Sequence, residues 1–303
     1  MDHRDICLIG GDRRIAYMAP ILLREGCRVL SFGTWTATQE ENSEKEQIGK
    51  LPAKEAGTAS SLKEALDGAG TIICGIPFEK GGFLNCEGRL QIPIAEFQRR
   101  LRKKQKVFGG ILSEEFRRHC EERSIDCHDF MKDEPLTLFN AVATAEGAIL
   151  EALSHKDTLL HQSNCLILGF GRCGSLIADR LGGLHAEVTV TTGNPAELAL
   201  AETKGYQTFP LRELSKHVAR FDYIFNTIPA CYLGENCLSQ VRQESLIIDI
   251  ASGRTGVNYE LAKDLSLHAL FCPGLPGKYA AKSCAERLVK YVLENTGGVN
   301  LWN

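Results

Sequence analysis

The chain has 303 residues, 44% hydrophobic and 24% charged, with a formal net charge of −3, a balance ordinary for a soluble globular protein and a length that suits two cores of about 150 residues each. The charge excludes the concentrated basic face of nucleic-acid and anionic-membrane binders, and no stretch approaches the roughly 20 consecutive apolar residues that span a bilayer. Met1 to Asp5 lack the apolar core of a signal peptide, so a cytoplasmic location is expected. Cys7, Cys74, Cys165 and Cys272, four of twelve cysteines, fall inside apolar runs and read as buried small hydrophobes in a reducing compartment.

In the first half, apolar runs near 5–9, 27–32, 70–75, 106–110 and 125–128 alternate with helical patterns near 13–25, 61–67, 91–104 and 113–123. That rhythm predicts a five-stranded, flavodoxin-like parallel sheet covered by helices, over residues 1–135. After the first strand comes GGDRR at 10–14, where Arg13 and Arg14 open a helix and offer guanidinium forks to a carboxylate. An exposed helix-start pair is the plainer alternative. Residues 34–58 are rich in Glu, Lys, Ser and Thr without periodicity and read as a mobile loop. The basic run RRLRKK at 99–104 reads as a solvated helix end. His119, Cys120, Cys127 and His128 match no common zinc spacing, so no metal is expected.

Residues 136–153, following Pro135, form a long helical pattern that bridges the halves. Glu146 stands in an apolar, small-residue stretch of it, where a carboxylate is costly unless partnered or functional, and it is a candidate acid or base. Asn140 and Thr137 lie on the same helix as candidate lining groups. A structural Glu paired with a lysine is the competing reading.

The second half repeats the rhythm with strands near 164–169, 186–192, 206–209, 221–227, 245–250 and 267–272. Residues 154–303 therefore read as a Rossmann NAD(P)-binding domain, with a last helix near 279–296 crossing back onto the first domain. The fold class is α/β, with two doubly wound parallel-sheet domains. GFGRCG at 169–174 sits between a strand and a helix: Gly169 permits the tight turn, Gly171 the approach of a pyrophosphate, and Gly174 close packing of helix on strand. Arg172 and Cys173 open the helix, whose N-terminal amides would meet the phosphates. A purely structural glycine turn is the alternative. The second strand ends in Thr191, Thr192, Gly193 and Asn194, with no acid to hold a ribose or repel a 2′-phosphate. NADP is therefore expected, with NAD admissible. Asn226 and Ser252, ending the fourth and fifth strands, would face the nicotinamide half. Arg254, Lys278 and Lys282 are cations that could bind a carboxylate, and Lys278, with a lowered pKa, could move a proton.

These stretches together, with NAVATAEG at 140–147, NTIP at 226–229, DIAS at 249–252 and CPGLPG at 272–277, resemble the family of bacterial dipicolinate synthase A subunits over nearly the whole chain. The resemblance implies a fold like that of D-2-hydroxyacid dehydrogenases, with the active site between the domains. It further implies a cytoplasmic, NADP-linked oxidoreductase of the sporulating mother cell. With a flavoprotein-like B subunit, it would convert a cyclic dicarboxylate, dihydrodipicolinate formed from 4-hydroxy-tetrahydrodipicolinate, to dipicolinate. A homo-oligomer is compatible with it. Family members often carry a basic residue just after the second strand, and TTGN departs from that. Two other readings stand beside it: a nucleotide-binding scaffold or regulatory component, and a stand-alone 2-hydroxyacid or shikimate-type dehydrogenase.

Overall fold

The computed structural model describes residues 5–34, 57–86 and 90–297 and divides into two compact units, Met1–Thr137 with Ala280–Asn303, and Leu138–Tyr279. In the first unit, β1 (Asp5–Ile9), β2 (Arg28–Phe32), β3 (Gly57–Thr58), β4 (Thr71–Cys74), β7 (Lys106–Gly109) and β8 (Asp126–Asp129) form one sheet in the order β3-β2-β1-β4-β7-β8. All its pairings are parallel. A hairpin of β5 (Glu79–Lys80) and β6 (Phe83–Leu84) stands apart from it. The five longer strands run in flavodoxin order, and the two-residue β3 adds a sixth at the edge. Most of the segment expected as a loop, 35–56, lies outside the described residues, but its end is the pairing of Gly57 and Thr58 with β2.

β1 and β4 are near-continuous apolar runs because parallel strands are covered on both faces. On one face α2 (Leu62–Asp67), α3 (Ile94–Arg100) and α4 (Glu114–Glu122) bury Leu62, Phe97 and Phe116. Ser61 and Ser113 cap α2 and α4 by accepting the amides of Glu64 and Phe116, each satisfying a donor the helix cannot. On the other face α1 (Arg13–Arg24) buries Ile15, Met18 and Leu22.

The helix expected as a bridge, α5 (Glu134–Ser154), belongs to the second unit from Leu138 on. By length and composition alone it could cross a membrane, contrary to the expectation that no stretch comes near that. Its Ala145, Ala148 and Ala152 are nonetheless buried in the unit's core with Cys165, Ile167 and Ile177. The strands β9 (Asn164–Leu168), β10 (Glu187–Thr192), β11 (Gln207–Pro210), β12 (Tyr223–Asn226), β13 (Leu246–Asp249) and β14 (His268–Phe271) form a parallel sheet in the order β11-β10-β9-β12-β13-β14. This is the 3-2-1-4-5-6 order of the Rossmann fold. Its helices are α6 (Arg172–Gly183), α7 (Pro195–Thr203), α8 (Leu214–His217), α9 (Glu235–Leu238), α10 (Tyr259–Asp264) and α11 (Leu275–Tyr279).

The last helix, α12 (Ala281–Asn295), lies in the first unit, where Leu288, Val289 and Val292 pack into the cluster of Ile15, Met18 and Leu22. Leu288 is only 5% exposed, so Leu288→Ala should cost about 2–5 kcal/mol by opening a cavity in that cluster. Denaturant unfolding of the variant, with the m-value checked for constancy, measures it.

Candidate functional site

At the carboxyl edge of the second sheet the chain leaves β9 through Gly169, whose φ of +89° belongs to the left-handed region that glycine tolerates best. A Cβ there would meet Thr227 Oγ1. At Gly174 a Cβ would strike the carbonyl oxygen of Gly169, so the first turn of α6 rests directly on the turn that precedes it. Around Gly171, by contrast, a Cβ would find nothing among the described residues within 4 Å. Gly171 is also the N-cap of α6 and brings no side chain to the helix amides. Open space over uncapped, forward-pointing N–H groups is what a pyrophosphate needs, so these residues fit a dinucleotide. Arg172 is exposed and Cys173 half-buried at the start of this helix, and burial raises the Cys173 thiol above its ordinary pKa, which suits packing rather than nucleophilic chemistry.

The groups expected to receive a 2′-phosphate are otherwise engaged. Thr191 is fully buried and its hydroxyl donates to Phe209 O at 2.9 Å. Thr192 donates to Glu197 Oε2 at 2.7 Å and accepts the Asn194 amide at 3.2 Å. The Asn194 side chain caps α7, accepting from Ala196 N at 3.0 Å. The expectation that no acid stands at this edge is corrected by Glu197, whose Oε2 also accepts the Phe170 amide at 3.1 Å. It was missed because it comes from the first turn of α7 rather than from the strand, although an acid in the turn after an N-cap asparagine is visible in the sequence.

Asn226 is fully buried and so does not face a ligand as expected. Its side chain accepts from Ile228 N at 3.1 Å and donates to Ile228 O at 3.1 Å and to Asp249 Oδ1 at 2.9 Å. Asp249 accepts in turn from the Tyr259 hydroxyl at 2.6 Å, and burial, then this bond, push the phenol pKa well up. The Arg254 guanidinium lies 4.5 Å over the Tyr259 ring. Asn226, Asp249, Tyr259 and Arg254 are thus one connected set at the ends of β12 and β13, with Ser252 exposed nearby in the chain.

Glu146 is not the costly carboxylate the sequence suggests: its side chain is 63% exposed, with Arg180 at 3.4 Å. The buried acid of α5 is Glu151, 3% exposed, which accepts from Lys278 Nζ at 2.6 Å and the Tyr279 hydroxyl at 2.8 Å. Helical spacing could have found it, because Glu151 lies one turn after buried Ala148 whereas Glu146 lies two residues before it, on another side. Burial alone would raise the Glu151 pKa, but the bonds from Lys278 and Tyr279 outweigh it and hold the carboxyl below its ordinary value. The same pairing, against the opposing effect of burial, raises Lys278 well above an ordinary lysine. The lowered pKa expected for Lys278 is thus not what this pairing favours.

Asn140 is half-buried on α5, its carbonyl accepting the Thr144 hydroxyl at 2.8 Å. In the first unit Arg14 is buried, with its Nε and one Nη on the Asp12 carboxylate and that same Nη on Ile76 O at 2.8 Å; it braces the turn after β1. Arg13 is half-buried and Lys282 exposed on α12. Among the described residues no three His, Cys, Asp or Glu side chains gather as metal ligands.

Residues 5–131 match the family of the N-terminal domain of dipicolinate synthase A subunits, and residues 141–273 that of the NAD-binding domain of D-isomer-specific 2-hydroxyacid dehydrogenases. The dipicolinate synthase A subunit of Bacillus subtilis (strain 168) is 32% identical over 182 residues, 60% of this chain and 61% of that protein. The aligned region thus spans under two thirds of the curated relative. In fold, the chain is similar to the crystal structure of the same synthase component from Bacillus subtilis (TM-score 0.78, 24% identity, covering 98% of this chain and 97% of that one). It is also similar to the dipicolinate synthase A subunit of Bacillus halodurans (TM-score 0.80, 22% identity, 98% of each).

Because the Glu151 carboxyl is held below its ordinary value of 4.5, its contribution is complete above that pH and fades as pH falls through the lower, folded value. Glu151→Gln should cost roughly 1–3 kcal/mol at neutral pH, with the Lys278 share small because that side chain is 56% exposed. Below pH 4.5 the variant and parent melting temperatures should converge, which a pH series of thermal melts checks.

Proposed function

From the match of residues 5–131 to the N-terminal domain family of dipicolinate synthase A subunits, and of residues 141–273 to an NAD-binding dehydrogenase domain family, we propose that this chain is a nicotinamide-dinucleotide-dependent oxidoreductase and the A subunit of a dipicolinate synthase. The substrate is dihydrodipicolinate, formed from 4-hydroxy-tetrahydrodipicolinate, and the chain works beside a flavoprotein-like B subunit in the mother-cell cytoplasm of a sporulating bacterium. The observation that carries the reading is the glycine turn, open above Gly171 and closed behind Gly174.

Aromatisation of the substrate removes a hydride and a proton, and a bound nicotinamide supplies the hydride acceptor. The protein's own part is alignment and charge recognition. The α6 amides and Gly171 hold the pyrophosphate. Asn226, fixed by Ile228 and Asp249, keeps the end of β12 rigid where the nicotinamide half of a dinucleotide lies in this fold. Arg254, exposed and supported on the Tyr259 ring, anchors one substrate carboxylate. Arg14, Lys278 and Glu146 take no direct part, since the first two are committed to Asp12 and Glu151 and the third is solvent-facing.

Purified chain given either nucleotide and dihydrodipicolinate, with and without the B subunit, should form reduced nicotinamide and dipicolinate together. If neither nucleotide binds at millimolar concentration, the proposal fails; if nucleotide binds but turnover never occurs even in the two-component mixture, the scaffold reading replaces it. Arg254→Ala should raise the KM for the dicarboxylate about ten-fold or more, as loss of a charge-assisted carboxylate contact does, while leaving nucleotide affinity unchanged. Steady-state kinetics beside a nucleotide titration separate the two effects.

A further inference from the structure

We propose that Glu197 replaces the strand-end acid of this Rossmann domain, holding the adenine ribose and selecting NAD over NADP. The inference rests on the reading of the second unit as a dinucleotide-binding domain. In such domains the adenine ribose lies between the glycine turn and the end of the second strand, where an acid accepts its hydroxyls. The strand end here is Thr192, which cannot serve that role as a carboxylate. Glu197 reaches the same place from α7. Its Oε2 takes the Phe170 amide, inside the glycine turn, at 3.1 Å and the Thr192 hydroxyl, at the strand end, at 2.7 Å. Two fixed donors on two elements therefore orient one carboxylate across the ribose position.

Both bonds fall on Oε2, and Oε1 has no bond to the described residues, so an acceptor oxygen remains for a ribose hydroxyl. A 2′-phosphate at that point would set like charges against each other within a few ångströms, beside a half-buried carboxylate. Of the groups at this edge, Thr191 donates to Phe209 O and Thr192 to Glu197 itself, while Asn194 accepts the α7 amide of Ala196 through Oδ1.

The test compares NAD and NADP binding to the full chain, by calorimetric or fluorescence titration, for the parent and for Glu197→Gln, which keeps an acceptor for both donors but removes the charge. The parent should bind NAD at least about ten-fold more tightly than NADP, and the variant should lose most of that preference. A second measurement needs no variant: adenosine 5′-monophosphate should displace bound NAD at lower concentration than adenosine 2′,5′-bisphosphate. Parent protein that binds NADP as tightly as NAD, or a variant that binds nucleotide with an unchanged ratio, overturns the assignment of Glu197. Parent protein that binds neither nucleotide overturns the dinucleotide reading itself, which sets that failure apart.

Discussion

A Cβ at position 174 would run into the carbonyl oxygen of Gly169, and this exclusion lets the first turn of α6 sit flush against the end of β9. The rest of the carboxyl edge is registered from that contact. It aims the α6 amides over Gly171, it brings the Phe170 amide within reach of Glu197, and through Glu197 it ties the turn to the end of β10. Close backbone packing here is thus the means by which a helix, a turn and two strands share one set of coordinates.

The two units carry the same strand order, and each has glycines just after its first strand, yet only one of these turns is open. In the first unit the Gly11 amide donates to Asn85 O at 2.6 Å, and a Cβ on Gly10 would meet that same carbonyl. The segment beyond β6 closes over the turn and uses up its donor. In the second unit nothing among the described residues is packed above Gly171. Identical topology therefore leads to a braced corner in one case and an anion cradle in the other, which is why fold alone assigns no chemistry.

Strand and helix order could be read from the residues because apolar runs such as those of β4 and β9, and turn residues such as Gly169, record their own local conformations. The glycine turn was readable for the same reason. The surroundings of Asn226, Glu146, Arg14 and Lys278 are not legible in the residues because they depend on which distant group meets the side chain. Lys278 finds Glu151, 127 positions away in sequence, and Arg14 finds Ile76 O, 62 positions away. Edge strand β3 escaped because two residues, Gly57 and Thr58, make too short a stretch to show alternation.

The placement of α12 in the first unit has a consequence for the order of events during synthesis. Residues 138–279 are an insertion in a unit whose core needs both earlier and later chain. Every residue of the two apolar clusters of the second unit lies between Ala145 and Tyr279, so its burial can be complete while Leu288 and Val292 have yet to leave the ribosome. The cluster of Ile15, Met18 and Leu22 must meanwhile wait with its outer face unpaired, and the first-made half of the protein is the last to be finished.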